Sequence, residues 1–515
     1  MTENHQKTHL SRKILLALFV ITALYRLLSL QFLPRLFFFD QARDLILVEE
    51  MVVNLKPKLM GPSASGTNDT VYHGVVYYYF LAPLFVIAQG NPAIIQALLA
   101  IIISLAVIPI TVLAYKMANS KFASLSIGIM YVFSTDAVIH NSWLSNPSLA
   151  TLTVPVYLLS LWNVFYEKKW NRSWIVGLSL ALSIQAAIFL GYLLFPLIVL
   201  FIYTFIKNRD SLKGELKNWV ACFLLLVVGI SSILLTQYKL FTAGIFKPSN
   251  LGINQSSLAK NLLSVGEPFS EKIAMSFIST SETVSVILFL ISTITFLRIA
   301  SKKATSFFIL SLVTPALFIV FTSRTSIHSI IGFEGLLLFP LSYLIAKLIN
   351  ARNKPFVLGP ILLVVYISMQ ILNLKHYYLN EKYPPAVQPG MYLPDQLQLI
   401  DETYQRARGE SFTVSTFSNP YRYATTWLYL YHWYGKKTYG YLPKLADQDQ
   451  TGMYGQDLLQ QSKAFDDLHF AIIEPSLNTP EFFYELFFEQ QPQEEGWLVS
   501  EDYFDRLQLI TYKRR

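Results

Sequence analysis

Long apolar runs alternate with short polar segments from residue 13 to about residue 374. A helix needs roughly 20 consecutive apolar residues to cross a bilayer, and most of these runs approach that length. The runs cover 13–33, 75–89, 93–115, 122–135, 148–165, 174–190, 191–206, 219–240, 282–299, 306–321, 330–349 and 356–374. The pattern predicts an all-α polytopic membrane protein with about 11–13 transmembrane helices.

Basic residues cluster in the short segments between the runs, at 116–121, 166–172, 207–217, 298–303 and 347–354. Lys and Arg concentrate in cytoplasmic loops. The N-terminus is therefore expected in the cytoplasm and the first loop, 34–74, outside the cell membrane.

The crossing count contains one conflict. An odd number of crossings must separate the external loop 34–74 from a cytoplasmic segment at 116–121, yet two apolar runs lie between them. Either the short run 75–89 does not cross, or the basic pair Lys116 and Lys121 is external. The sequence leaves both open.

Composition supports a membrane protein and excludes other classes. Charged residues make up 14% of the chain, against about 25% in soluble domains. The net charge of +8 is spread between apolar runs, so it does not indicate nucleic-acid binding. The single cysteine, Cys222, lies inside an apolar run, which excludes a disulfide framework and a cysteine metal site.

The tail, 376–515, changes character and predicts a small mixed α/β domain outside the membrane. Strand-like pieces occur at 412–417, 470–475 and 507–513, bounded by turn formers. The chain is thus expected to divide into a transmembrane domain, 1–375, and this tail. The aromatic stretch 419–441 can stack on sugars, but a domain core and membrane interface is the favoured interpretation.

The first loop carries charges directly after an apolar run, in the stretch FFFDQARDLILVEEM. Asp40, Arg43 and Asp44 are spaced i, i+3 and i+4, so a helix places them on one face. Asp40 can cap an amphipathic helix on the membrane surface, or it can belong to a catalytic site. Tyr72 and His73 stand at the start of the next apolar run, as Asp40 stands at the end of the first.

These stretches resemble the beginning of the C-superfamily of membrane glycosyltransferases (the GT-C fold). The likeness is to bacterial relatives of protein O-mannosyltransferases and to the lipid A aminoarabinose transferase. It rests on FFFDQARDLILVEEM, NLKPKLMGP, YHGVVYYYFLAPLFV and the second loop FSTDAVIHNSWLSNPSLATL. The resemblance implies a transferase that takes a sugar from a polyprenyl-phosphate lipid.

Residue by residue, Asp40 matches the catalytic acid of the family, with Arg43 and His73 as its catalytic neighbours. The resemblance leaves a divalent metal (Mg, Mn or Zn) open, with Asp40 as a ligand. Gln41 stands where many members carry a second carboxylate, which puts a paired-carboxylate metal site in doubt. His73-Gly74 matches the family's His-Pro pair only in part.

Further residues are expected to bind substrate. They are Asp44, Tyr72, Asp136, Trp143 and Asn146. Asn146-Pro147 can equally be a helix start.

A leaving lipid phosphate needs cationic partners near the external interface. Arg324 and His328, in FTSRTSIHS, are the candidates, although Arg324 can also be a snorkelling residue at a helix end. Glu334 is an acid inside an apolar run and therefore a functional candidate, while Gly332 and Gly335 beside it indicate close helix packing.

The sequence therefore predicts an inverting glycosyltransferase of the hexosyl or pentosyl class, with a polyprenyl-phosphate sugar as donor and an extracytoplasmic hydroxyl on protein, lipid or glycan as acceptor. Its expected place is the inner (cytoplasmic) membrane. The alternatives are a transporter or flippase of lipid-linked sugars, and a polymerase or ligase of surface polysaccharide. Matching halves with midplane charges, typical of transporters, are not seen in the sequence.

Overall fold

A computed structural model describes residues 10–32, 35–64, 70–207, 214–245, 265–277, 281–322, 327–350, 357–379, 388–446, 449–475, 479–493 and 496–515. Its helices are α1 (Arg12–Phe32), α2 (Phe39–Val53), α3 (Val76–Ala88), α4 (Pro92–Ile103), α5 (Val107–Ala118), α6 (Lys121–Phe133), α7 (Thr135–Ser142), α8 (Ala150–Leu161), α9 (Ser173–Ala186), α10 (Leu194–Lys207), α11 (Leu216–Gly229), α12 (Ser231–Thr242), α13 (Gly266–Ser276), α14 (Glu282–Ile299), α15 (Lys302–Thr322), α16 (Glu334–Ile349), α17 (Leu358–Leu379), α18 (Leu393–Ala407), α19 (Thr425–Leu430), α20 (Lys436–Tyr439) and α21 (Glu481–Glu489).

Every predicted apolar run is helical, so the chain is an integral, multi-pass α-helical membrane protein. Within the described residues, 7 helices are long and apolar enough to cross a membrane, or 9 if each of two bent helix pairs counts as one span. The bent pairs are α6 with α7 and α11 with α12. The remaining runs form the shorter helices α3, α9 and α16.

The end of α3 contacts the tail. Tyr429 donates a hydrogen bond to the carbonyl of Gly90 at 2.6 Å, and Trp433 donates one to the carbonyl of Gln89 at 3.2 Å. The first loop is bonded to the tail as well, because the Phe37 amide donates to the carbonyl of Met391 at 2.9 Å. Gln89 and Gly90 at the end of α3 and Phe37 in the first loop are thus bonded to the tail.

The basic segments at 116 and 169 meet on one acid. Lys116 and Lys169 each place Nζ 2.6 Å from a carboxylate oxygen of Glu167. Two segments that the charge pattern assigns to the cytoplasm therefore contact each other.

The tail folds around a 6-stranded sheet in the order β3-β2-β1-β4-β6-β5. The strands are β1 (Thr413–Phe417), β2 (Lys444–Leu445), β3 (Gln460–Gln461), β4 (Leu468–Ile473), β5 (Trp497–Phe504) and β6 (Leu507–Arg514). Strands β1 to β4 pair in parallel, and β6 runs antiparallel to both β4 and β5. The mixed α/β tail and its three predicted strands are confirmed.

The chain forms two compact units. One contains Met1–Gln31, Leu59–Tyr77 and Ala97–Asn380, and the other contains Phe32–Lys58, Tyr78–Gln96 and Glu381–Arg515. Helix α2 therefore belongs to the same unit as the tail sheet.

Candidate active site

Helix α2 begins with a side-chain cap that comes from Gln41. Its Oε1 accepts a hydrogen bond from the backbone N–H of Phe38 at 3.0 Å, which satisfies an amide that the helix itself leaves without a partner. Asp40 lies in the first helical turn, where a negative charge is favoured by the helix dipole. The interpretation of Asp40 as the capping residue is therefore wrong.

Asp40, Arg43 and Asp44 lie on one face of α2, as their spacing predicts. Arg43 Nη1 donates to Asp40 Oδ1 at 2.7 Å, while Nε and Nη2 both donate to Asp44 Oδ1, at 2.9 and 2.8 Å. Tyr78 donates to the same Asp44 oxygen at 3.3 Å. Asp44 is buried, whereas the Asp40 side chain is 49% exposed. Asp40 is thus a positioned carboxylate that solvent can reach.

Burial and charge act against each other in this group. Burial raises the pKa of Asp44 to about 6, although the Arg43 guanidinium opposes the shift. Burial disfavours the charged form of Arg43 as well, yet Asp44 and Asp40 outweigh it and hold its pKa above the usual range. Arg43 is therefore a permanent cation whose orientation fixes the Asp40 carboxylate.

The apolar side of α2 packs against the tail domain. Leu45, Ile46 and Val48 are at most 2% exposed, and a Cβ added at Gly455 would lie 2.9 Å from Cδ1 of Ile46. This side of the helix is therefore covered by protein. The expectation that α2 is an amphipathic helix on the membrane surface is therefore corrected for its side with Leu45, Ile46 and Val48.

His73 is held by backbone contacts at the start of α3. Its Nδ1 accepts a hydrogen bond from the amide of Ile188 at 3.0 Å. Its own amide donates to the carbonyl of Pro62 at 2.8 Å, while Tyr72 forms an antiparallel bridge with Ser63. The segments 61–64 and 71–74 therefore run antiparallel to each other.

The residue after His73 is Gly for a steric reason. The Gly74 amide donates to the carbonyl of Gln185 at 3.0 Å, and an added Cβ would lie 1.6 Å from Gln185 Oε1 and 2.8 Å from its Cα. The proline that the family carries here would collide with Gln185 and would lose this hydrogen bond.

A buried charge cluster joins α7, α13 and α16. Lys272 Nζ lies 2.8 Å from Asp136 Oδ2 and 2.8 Å from Glu334 Oε1. His140 Nδ1 lies 2.8 Å from Asp136 Oδ1, and Ser276 donates to Asp136 Oδ2 at 2.9 Å. All five side chains are buried. Asp136 and Glu334 thus share one cation and form a single electrostatic unit.

Asp136, His140 and Glu334 also have the composition of a metal site. Each offers a ligand atom, and these atoms lie within 4.8 Å of one another. The ammonium of Lys272 already contacts both carboxylates. It therefore occupies the position of a metal ion and supplies positive charge in its place. The set fits a divalent ion only if Lys272 moves away. A metal at Asp40 stays a prediction, and Arg43 already occupies one oxygen of Asp40.

Two other predicted residues, Trp143 and His328, stack on each other with ring centroids 4.9 Å apart. Burial and the nearby basic groups His140, Lys272 and His73 lower the pKa of His328 to about 3. Its imidazole is therefore neutral, so a phosphate would meet it as a hydrogen-bonding group and not as an ion pair.

Asn146 begins a short 3-10 turn and donates from Nδ2 to the carbonyl of Ala186 at 2.7 Å. This geometry agrees with the helix-start interpretation of Asn146-Pro147. Arg324, the other expected phosphate ligand, lies outside the described residues.

The structure brings Asp136, Trp143 and His328 into one region with two residues that sequence reasoning missed. His140 follows Asp136 by four positions in the second loop. This spacing is visible in the sequence and places both residues on one face of a helix. Lys272 has no comparable signal, because its partners lie 136 and 62 residues away along the chain.

Solved structures supply the comparison that the sequence does not. ArnT from Cupriavidus metallidurans bound to undecaprenyl phosphate matches with a TM-score of 0.56 at 10% identity, over 97% of this chain and 98% of that chain. Its apo structure matches with a TM-score of 0.57 at 11% identity, over 96% and 97%. The chain has the ArnT fold.

This likeness confirms the GT-C fold that the sequence resemblance implies. The structural match extends over 97% of this chain. No family model matches the sequence, and no curated protein matches it. At 10% and 11% identity the agreement concerns the fold alone. The chemistry of the ArnT-like chain must therefore be argued from its own residues.

Proposed function

We propose that the protein is an inverting membrane glycosyltransferase that moves a hexosyl or pentosyl group from a polyprenyl-phosphate lipid to an acceptor hydroxyl outside the cytoplasm. The observation that carries this proposal is Asp40, a half-exposed carboxylate fixed by Arg43 at the start of α2. The ArnT fold supports it, because one of the matching structures holds undecaprenyl phosphate.

Asp40 acts as the general base in this reaction. Its carboxylate accepts the proton of the acceptor hydroxyl while the hydroxyl oxygen attacks the anomeric carbon. The bond between that carbon and the phosphate oxygen breaks, and polyprenyl phosphate leaves with the electron pair. A single displacement inverts the anomeric centre. The leaving group is already a stable anion, so it requires charge stabilisation more than protonation.

Arg43 keeps the base in position. Its guanidinium is anchored by two hydrogen bonds to Asp44 and directs a third to Asp40. General bases contribute about 10²–10⁴-fold when they are held in reach of the proton, so Arg43 and Asp44 are positioning residues. His73 stays a proposed catalytic neighbour of Asp40. As the sequence predicts, Arg324 and His328 are proposed to bind the donor phosphate, and the residues proposed to bind substrate are Tyr72, Asp136, Trp143 and Asn146.

The orientation in the membrane follows from the charges. Lys116 and Lys169 share Glu167 on one side, which we assign to the cytoplasm. We then propose that the first loop and the tail lie on the external side of the cytoplasmic membrane. Asp40 would face an acceptor in the aqueous space while the donor's tail remains in the bilayer.

The test is transfer of labelled sugar by the purified full-length protein in lipid nanodiscs. Radiolabelled polyprenyl-phosphate hexoses and pentoses are supplied with a membrane extract as the source of acceptor. The proposal predicts loss of label from the lipid, release of polyprenyl phosphate and a labelled product of inverted configuration. If none of these lipids is consumed, while the same protein moves them across liposome membranes, the chain is a transporter and the proposal is wrong.

A further inference from the structure

The tail sheet has a topological switch point between β1 and β4. Strand β1 pairs in parallel with β2 on one side and with β4 on the other. In open parallel sheets, ligands bind outside the carboxyl ends of the strands at such a point. The loop 418–424 leaves β1 there, with the sequence SNPYRYA.

Buried polar groups hold this loop in a defined shape. The Gln450 side chain is fully buried, donates to the carbonyl of Arg422 at 2.8 Å and accepts from the amide of Ala424 at 3.2 Å. The amide of Asn419 donates to Glu474, which follows β4, at 2.8 Å. A loop fixed at both ends presents its side chains with little loss of entropy on binding.

Arg422 is the exposed apex of this loop. Its backbone has φ 75°, in the left-handed region that non-glycine residues adopt at an energetic cost, often at functional sites. Its guanidinium lies 6.0 Å from the ring centre of Tyr421. It forms no ion pair with any carboxylate in the described part of the chain. The loop thus holds an exposed cation beside an aromatic ring.

The loop lies beside the proposed catalytic helix. Phe39, the residue before Asp40, contacts Tyr423 with ring centroids 5.2 Å apart and Tyr454 at 6.2 Å. The backbone of Tyr454 is tied in turn to α19, because Thr425 donates to its carbonyl at 3.2 Å. Tyr423 and Tyr454 therefore lie against the residue that precedes Asp40.

The aromatic residues of the stretch 419–441 differ in burial. Trp427, Tyr429 and Tyr431 are at most 1% exposed, so they form the core that the sequence favours. Tyr421 and Tyr423 are only partly buried, and Tyr454, outside this stretch, is 36% exposed. Tyr421, Tyr423 and Tyr454 therefore leave surface that a ligand at loop 418–424 can reach.

We propose that loop 418–424 and Tyr454 form an acceptor subsite that takes a sugar ring bearing an anionic group, either a phosphate or a carboxylate. The tyrosine faces contact the apolar face of the ring, and Arg422 pairs with the anion. The subsite would bring the acceptor hydroxyl to Asp40. This inference rests on the proposed function and assigns the chemical class of its acceptor.

The test measures binding without the lipid donor, so it does not depend on transfer. Glucose 6-phosphate, glucuronate, glucose and inorganic phosphate are titrated into the full-length protein in detergent, with calorimetry as the readout. Both anionic sugars are expected to bind more tightly than glucose and than phosphate alone. Arg422→Gln should weaken the binding of both anionic sugars by about 10- to 100-fold, which is the contribution of a charged hydrogen bond. The affinity for glucose should stay unchanged.

Arg408 offers a matched control, because it is also an exposed arginine with positive φ, 50°. Arg408→Gln should leave all four affinities unchanged, whereas Tyr423→Leu should weaken the binding of all three sugars. Equal binding of glucose 6-phosphate by wild type and Arg422→Gln would overturn the subsite. So would phosphate binding as tightly as glucose 6-phosphate, which means an adventitious anion site only. Sugar binding that survives without any transfer would overturn the enzyme proposal and not the subsite.

Discussion

Gln41 Oε1 lies 3.0 Å from the backbone nitrogen of Phe38 and closes the first turn of α2. The residue that stands where many glycosyltransferases of this fold carry a second acid therefore has a structural role. Its side chain is directed at the helix end and is 1% exposed. The first turn of α2 thus carries one carboxylate, Asp40, and the proposed mechanism uses one.

Replacing Gln41 tests this role. Gln41→Met removes the acceptor and should lower the stability of the protein by about 1 kcal/mol, the usual value of a helix cap. Gln41→Glu keeps an acceptor oxygen and should retain most of that stability without raising the transfer rate. Thermal unfolding in detergent and the transfer assay check both statements. A large gain of activity in Gln41→Glu would mean that the second carboxylate matters after all.

Gly74 gives a second prediction. Gly74→Ala should force the chain that carries His73 away from Gln185, because the new Cβ would lie 1.6 Å from Oε1. Gly74→Pro should cost more, since it also removes the amide that donates to Gln185. Gly191→Ala is the control, because nothing lies within 4 Å of its Cβ. Melting temperatures should fall in the order Gly191→Ala, Gly74→Ala, Gly74→Pro, and the reverse order for the last two would contradict the account.

Lys272 should be indispensable for stability. Lys272→Met leaves Asp136 and Glu334 buried without their shared cation, at an expected cost of about 3–5 kcal/mol. Adding Asp136→Asn and Glu334→Gln to the same protein should restore most of the loss. Lys239→Met, at an exposed position on α12, should have little effect. Failure of the triple variant to recover, measured by thermal unfolding, would argue against a purely electrostatic role for Lys272.

Glu474 should make the stability of the tail domain depend on pH. Burial raises its pKa to about 7, even though Gln388, Asn419 and Trp427 all donate to its carboxylate. The folded state therefore favours the protonated acid, so the stability from this group is full below its unfolded pKa and is lost as pH rises through 7.

The melting temperature of the tail domain should fall between pH 5 and pH 8 for this reason. Glu474→Gln should flatten this dependence, because the new side chain does not titrate. It should also lower stability at all pH values, because the NH₂ group of the new amide would face the hydrogen-bond donors that now bind the carboxylate. An unchanged pH slope in Glu474→Gln would show that other groups cause it.

The sequence predicts the membrane helices and the sheet well because both depend on local hydrophobic patterns. The sequence does not predict strand β5, because WLVSEDYF lacks a period-2 alternation and lies at an exposed edge of the sheet. The first-loop triad was also predictable, because Asp40, Arg43 and Asp44 are spaced for one helical face. Such features can be found from neighbours in the sequence alone.

The rest depends on contacts between distant segments. Lys272 looks like an ordinary loop lysine until α13 packs beside α7 and α16. The association of α2 with the tail domain is equally invisible, because it joins residues near position 40 to residues near position 425. The steric requirement for glycine at position 74 becomes apparent only from the position of Gln185. In each case the partner lies more than 60 residues away, where periodicity carries no information.

The most direct test of the central claim is the kinetics of Asp40→Asn with a lipid-linked sugar donor. The account predicts that kcat falls by about 10²–10⁴-fold, while the affinity for the donor, measured separately, stays unchanged. Glu50→Gln is the matched control, because Glu50 is a half-exposed acid on the same helix that pairs with Lys58, and its kcat should equal that of the wild type. Full transfer by Asp40→Asn would contradict the assignment of Asp40 as the base.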